Sequence, residues 1–96
     1  MAVVMHMEMP EVSVEDYDAI NEKAGVVANP PEGLIVHTAA PMRNGGVRVV
    51  DVWESEQHLE RFDEERIMPA ANEVLGGTPP GPPQRDITEV RHLVIP

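Results

Sequence analysis

The sequence predicts an α+β fold in the order strand, helix, strand, strand, helix, strand, and three observations carry that reading. Val3 to Met9 and Val47 to Trp53 both alternate in character in the manner of strands with one face buried. Asn44-Gly45 lies between two strand-like runs, and Asn-Gly tolerates the left-handed backbone of a primed hairpin turn. Ser13 and Ser55 each precede a segment of helical spacing, where a hydroxyl can accept from an amide that has no partner inside the helix.

Taken in order, Val3, Met5, Met7 and Met9 share one side of the first strand, with Val4, His6 and Glu8 on the other and Pro10 ending it. Ser13 caps the first helix with Asp16 three residues on, and Val12 and Tyr17 are spaced as a hydrophobic staple. Tyr17, Ile20 and Ala24 then recur on one helical face, and Gly25 stands where the helix stops. Asn29-Pro30-Pro31-Glu32-Gly33 is a loop, because prolines donate no amide to a helix or a ladder. Leu34 to Ala40 is the second strand, and Val47 to Trp53 returns antiparallel beside it. Ser55 caps the second helix, which turns Leu59 and Phe62 inward. Pro69 cannot sit deep in an unbroken helix, so a kink or restart is expected near Ile67–Pro69. Val74 and Leu75 lie on the second piece, and Gly76-Gly77 ends it. Thr78 to Pro83 reads TPPGPP, a stiff polyproline-like connection that could lid a cavity or brace a partner. Ile87 to Ile95 is the expected fourth strand.

This order is the ferredoxin-like βαββαβ plan, a four-stranded antiparallel sheet in one domain spanning residues 1–96. Right-handed crossovers place both helices on one face. The other face would be bare, with Val50, Val52, Val90 and Val94 beside Arg48 and His92. A chain this short buries only about 60–65% of its unfolded surface, and it has one Trp, one Tyr and one Phe to build with. Exposing an apolar sheet would be a serious loss, so a homodimer packed through that face is expected.

The net charge of −10, with only seven Lys and Arg, argues against a nucleic-acid partner. Absence of cysteine excludes disulfides, thiol catalysis and thiolate metal sites. The first nine residues are interrupted by His6 and Glu8 and carry no basic leader, so no membrane association and a cytoplasmic location are expected. Gly45-Gly46 and Gly76-Gly77 read as turn glycines rather than phosphate loops, and no nucleophile triad is visible.

Strand period two sets Asp51 and Trp53 on the same face as Val47 and Val49. A carboxylate in apolar surroundings has its charged form disfavoured and can act as a general base; the structural alternative pairs Asp51 with Arg91 or Arg66. His37 lies in strand two with Ile35 and Ala39 and is a second acid or base candidate. His6, His92 and Glu8 lie on strands expected to be neighbours, but they lack any local ligand motif, and no metal site is expected. Met5, Met7 and Met9 form a flexible stripe suited to a flat ligand or to core filling. Tyr17 can offer its hydroxyl to the same space, and Glu60 to Glu65 reads as a solvated helix face.

The run Asp51-Val52-Trp53-Glu54-Ser55-Glu56, entered from a valine-rich strand and leaving into a helix, resembles the junction of the dimeric α+β barrel superfamily. Within it, the run is similar to the antibiotic-biosynthesis-monooxygenase-like group, which includes cofactor-free quinone-forming oxygenases and haem-degrading enzymes. The resemblance implies that the face of Asp51 and Trp53 looks toward the helices over a ligand cavity. It also implies an asparagine on the first strand, a tryptophan ending the third, and a histidine nine residues later. Trp53 matches, whereas the asparagine position falls at or near Met7 and the histidine position on Phe62. His58 is rotated well away from that place on the helix.

The resulting expectation is a small dimeric barrel protein with one cavity per subunit for a hydrophobic, aromatic small molecule. As an enzyme it would be a monooxygenase needing no cofactor. Asp51 or His37 would be the base, with Trp53, Met7, Tyr17 and Phe62 against the ligand. The alternative is a non-catalytic binding or assembly protein whose cavity Met7 and Phe62 have closed. A haem-binding protein is the third reading, and it would lack the family's histidine.

Overall fold

The computed structural model describes residues 1–43, 45–77 and 84–96. The predicted TPPGPP connection and the Asn44 position of the hairpin lie outside the described residues. The elements are β1 (Val3–Met9), α1 (Val14–Ala24), β2 (Leu34–Pro41), β3 (Val47–Trp53), α2 (Glu56–Phe62), a π-helical turn (Asp63–Ile67), α3 (Met68–Leu75) and β4 (Gln84–Glu89). The sheet order is β2-β3-β1-β4 with every neighbouring pair antiparallel, which is the ferredoxin-like arrangement. Among the described residues, no helix is long and apolar enough to cross a membrane.

The helix ends form where the side chains allow. Ser13 Oγ accepts from the Asp16 amide at 3.0 Å, and Ser55 Oγ accepts from the His58 amide at 3.2 Å, each satisfying a donor that the first helical turn leaves free. Gly25 closes α1 in the left-handed conformation, its amide donating to the carbonyls of Asn21 and Glu22. At Gly33 the backbone again has positive φ, and a Cβ there would collide with the His58 ring. Only glycine lets the β2 entry loop lie this close to α2.

The inner face of the sheet is built by alternation. Val47, Val49, Asp51 and Trp53 of β3 and Val3 and Met5 of β1 are all buried under the helices, with Ile20, Ala24, Leu59, Phe62 and Ala70 packed onto them. A β-bulge between Leu34 and Val36 sets Leu34, rather than Ile35, opposite Trp53. Leu34 therefore joins the core in place of Ile35, which was expected to share the face of His37. Beyond the bulge His37 stands directly across from Asp51.

The expected interruption near Pro69 occurs as a π turn. The Met68 amide donates to Asp63 O, five residues back, and Pro69 follows in the first turn of α3, where its missing N–H costs nothing. In an unbroken α-helix, Leu59 and Leu75 would point about 160° apart at about 100° per residue. A π turn rotates less per residue, and here both side chains face the same interior space.

Strand β4 corrects the expected span of Ile87 to Ile95. It starts at Gln84 and ends at Glu89 because antiparallel pairing sets Glu89 opposite Val3, at the start of β1. The Val90 amide still donates to Ala2 O at 2.9 Å, just outside both strands. Val94 and Ile95 are exposed beyond the strand. Consequently Val90, His92 and Val94 do not line the outer sheet face, and the neighbours of His6 there are Val50 and Asp86. The outer face carries Val4, Val36, Val50 and Val52 among polar residues, with Arg48 paired to Glu8 at 3.5 Å.

Candidate active site

Between the sheet and the helices lies a cleft of about 410 Å³, within the size range of small-molecule sites. The sheet contributes the Met5-Met7-Met9 stripe, and α1 contributes Tyr17 and Ile20. The far wall is Phe62, Ile67 and Met68, which the π turn carries round to face the sheet. The lining is predominantly apolar, with a few convergent polar groups.

Four of those polar groups form one chain of hydrogen bonds. Asp51 is only 4% exposed, so its oxygens need partners. His37 Nδ1 is 2.7 Å from Asp51 Oδ1, and Trp53 Nε1–H donates to Asp51 Oδ2 at 3.3 Å. Neither Arg66 nor Arg91, the partners considered for Asp51, fills that role. Arg66 instead donates to the carbonyls of Ala24 and Asn29 and stacks over the Phe62 ring. An ionised carboxylate can only accept, so the His37 proton resides on Nδ1 and the Nε2 lone pair is left to accept. Tyr17 Oη lies 3.3 Å from that Nε2 and 3.5 Å from Asn21 Oδ1. The Tyr17 phenol is pushed well above its ordinary range, first by burial and then by the negative charges of Asp51 and Asp18. It therefore remains a neutral donor throughout the physiological range.

The arrangement can withdraw a proton from a molecule in the cleft. His37 Nε2 would be the accepting atom, with the imidazolium held against Asp51. Tyr17 can swing its O–H between Nε2 and Asn21, or turn it onto a ligand oxygen.

A second polar pair lies on the opposite side. Arg85 of β4 stands across from Met7 on β1, and one of its guanidinium nitrogens donates to Asp63 Oδ2 at 2.6 Å. Burial raises the Asp63 carboxyl above its ordinary value. The Arg85 charge and hydrogen bond oppose this, and the Asp51 and Glu60 carboxylates add to it. Asp63 lies within the Glu60–Glu65 stretch whose composition suggests a solvated face, and Arg85 lies outside the expected fourth strand. Arg85 shares the parity of Ile87, so extending the strand by one period would have found it. Nothing local marks Asp63, since its inward turn depends on the π geometry.

Of the residues singled out from sequence, Asp51, His37, Met7, Tyr17 and Phe62 line the cleft. Trp53, expected to touch the ligand, is fully buried. It packs against Phe62 at 5.3 Å between ring centroids and reaches the cleft only through Asp51 and Phe62. His58 bonds to Ser55 Oγ at 2.6 Å and is not among the lining residues, so no histidine of this helix faces the cleft as a haem ligand. Among the described residues there is no group of three or more His, Asp or Glu able to hold a metal ion.

No protein-family model matches the sequence, and no curated protein does either. Solved structures do match. A conserved protein from Methanosarcina mazei Go1 superposes with a TM-score of 0.70 at 11% identity, over 93% of this chain and 92% of that one. SnoaB, a cofactor-independent oxygenase from Streptomyces nogalater, gives 0.65 at 10% identity over 97% and 95%. A monooxygenase from the gene ActVA-Orf6 of Streptomyces coelicolor, in complex with Nanaomycin D, gives 0.60 at 20% identity over 99% and 91%. The fold is thus the one that the resemblance to antibiotic-biosynthesis monooxygenases implied.

Proposed function

We propose that the cleft binds a flat aromatic molecule with an acidic proton and that His37, oriented by Asp51, removes this proton so that the anion reacts with dioxygen. The Tyr17–His37–Asp51–Trp53 chain, opening into a predominantly apolar cleft, is the observation that supports this. In the step envisaged, His37 Nε2 takes a proton from a phenolic ring system's activated CH₂ group. The carbanion forms a C–O bond to dioxygen, and the peroxide receives the proton back. Loss of water, with departure of the second C–H proton, then leaves a carbonyl. One CH₂ and one O₂ become one C=O and one H₂O, and no bound cofactor takes part. The apolar walls position the ring system and keep bulk water from the reacting anion. That a neighbour in fold is described as a cofactor-independent oxygenase agrees with this reading. The test is quinone formation and oxygen uptake with 1,8-dihydroxyanthrone in air-saturated buffer. Catalysis above the spontaneous rate is expected, reduced about 100-fold in His37→Ala. Undiminished turnover in both His37→Ala and Asp51→Asn would reject the assignment.

The protein is also proposed to act as a homodimer through Val4, Val36, Val50 and Val52 on the outer sheet face. Light scattering should return twice the chain mass, and a monomer would remove this part. A second reading, a non-catalytic binding protein, draws on the sealing of Trp53 behind Phe62. It predicts tight binding of aromatic molecules with no oxygen uptake.

A further inference from the structure

We infer that Arg85, held by Asp63, is a subsite for a ring-bound anionic oxygen group, so that the cleft selects aromatic molecules carrying such a group at the end remote from His37. This rests on the cleft being the ligand site. The sheet order places His37 on one edge strand and Arg85 on the other. From the register, His37 aligns with Asp51, Met5 and Ile87, and Arg85 lies one inward-facing position beyond Ile87. Three strand spacings and two residues along the strand separate their Cα atoms by about 16 Å. With both side chains reaching inward, the remaining span suits a fused-ring skeleton laid across the sheet over Met5 and Met7.

Several features of Arg85 point to a ligand rather than to a structural brace. It is the only Lys or Arg among the described lining residues. A guanidinium offers a carboxylate two parallel donors, yet Asp63 engages it through a single contact. The pair is partly withdrawn from water, with side chains 28% and 21% exposed, and an ion pair in that position contributes little net stability. Asp63 is a compromised partner because burial disfavours its charged form, and the Asp51 and Glu60 carboxylates add to this. An incoming oxyanion can therefore compete with it for the remaining donors.

The test compares two fluorescent probes with the same rings, anionic 1-anilinonaphthalene-8-sulfonate and neutral N-phenyl-1-naphthylamine. Binding is followed by energy transfer from Trp53, the chain's single tryptophan, and dependence on Arg85 assigns the anionic probe to the cleft. Arg85→Gln should weaken the anionic probe about tenfold or more and leave the neutral probe within about twofold. Asp63→Asn, which keeps Arg85 and removes its competitor, should tighten the anionic probe several-fold, and it tests the subsite even if Arg85→Gln does not fold. Equal weakening of both probes in Arg85→Gln, or no change in the anionic one, would overturn the subsite while leaving the cleft a ligand site. Failure of the neutral probe to bind the native protein would instead reject the cleft reading itself.

Discussion

His37 Nδ1 and Asp51 Oδ1 are 2.7 Å apart across neighbouring strands, and the second oxygen of the same carboxylate is held by the Trp53 indole. With both oxygens occupied, Asp51 holds the imidazole in place, and the proposed mechanism assigns proton transfer to His37 Nε2.

Asp51→Asn should abolish that orientation. If the new amide donates to Nδ1, the imidazole proton moves to Nε2 and the accepting lone pair no longer faces the cleft. Turnover should fall about 100-fold or more, while binding of a neutral aromatic probe changes little. Steady-state kinetics beside probe titration check this, and a loss confined to binding would contradict it.

Tyr17 is the sole tyrosine of the chain, so its ionisation can be followed at 295 nm without interference. Burial and the nearby acids raise its folded pKa above the ordinary 10.0. Its contribution to stability is therefore complete below pH 10 and is lost as pH rises toward the folded value. The native protein should show no tyrosinate absorbance near pH 10, where the urea-unfolded chain is half ionised. A native midpoint near 10 would show that Tyr17 is not held as described.

Asp63 follows the same sign. Its carboxyl is raised above 3.8 by burial, so the folded state holds the proton more tightly than the unfolded one and wild-type stability declines as pH climbs from about 4 through the folded pKa. Asp63→Asn lacks this titration. Its melting temperature relative to wild type should therefore improve between acid and neutral pH, even though the Arg85 contact is weakened. Thermal melts across that range decide it, and a relative loss on neutralisation would be the wrong sign.

Pro69→Ala restores an amide to the helix and lifts the restriction that favours the π turn. Helix propensity improves by about 3 kcal/mol at an interior position, and by less in the first turn. Regularising the helix would rotate Phe62 and Asp63 relative to Leu75. The variant should be no less stable to urea than wild type, yet it should bind aromatic probes more weakly. Unchanged probe affinity would mean that the π turn does not shape the cleft.

Much of the fold was legible locally because it rests on short-range chemistry. β3 spans Val47–Trp53 as its alternation indicated, and Ser13, Gly25 and Ser55 bound their helices as their side chains or φ freedom require. The apolar run Leu93-Val94-Ile95 suggests a strand, but pairing with β1 sets β4 at Gln84–Glu89, a register that composition does not carry. The Leu34 bulge and the inward turn of Asp63 left no local mark.

By itself, then, the sequence determined the order of elements, the shared face of Asp51 and Trp53, and the Met5-Met7-Met9 stripe, since each follows from a period of two or from helical spacing within one segment. Only the tertiary structure decided that His37 meets Asp51, that Arg85 meets Asp63, and that Trp53 is sealed behind Phe62. Those relationships depend on strand register, on one bulge and on one π turn, and register is a property of two segments at once. Residues 14 and 22 positions apart become neighbours only when the whole sheet and its helical layer close together.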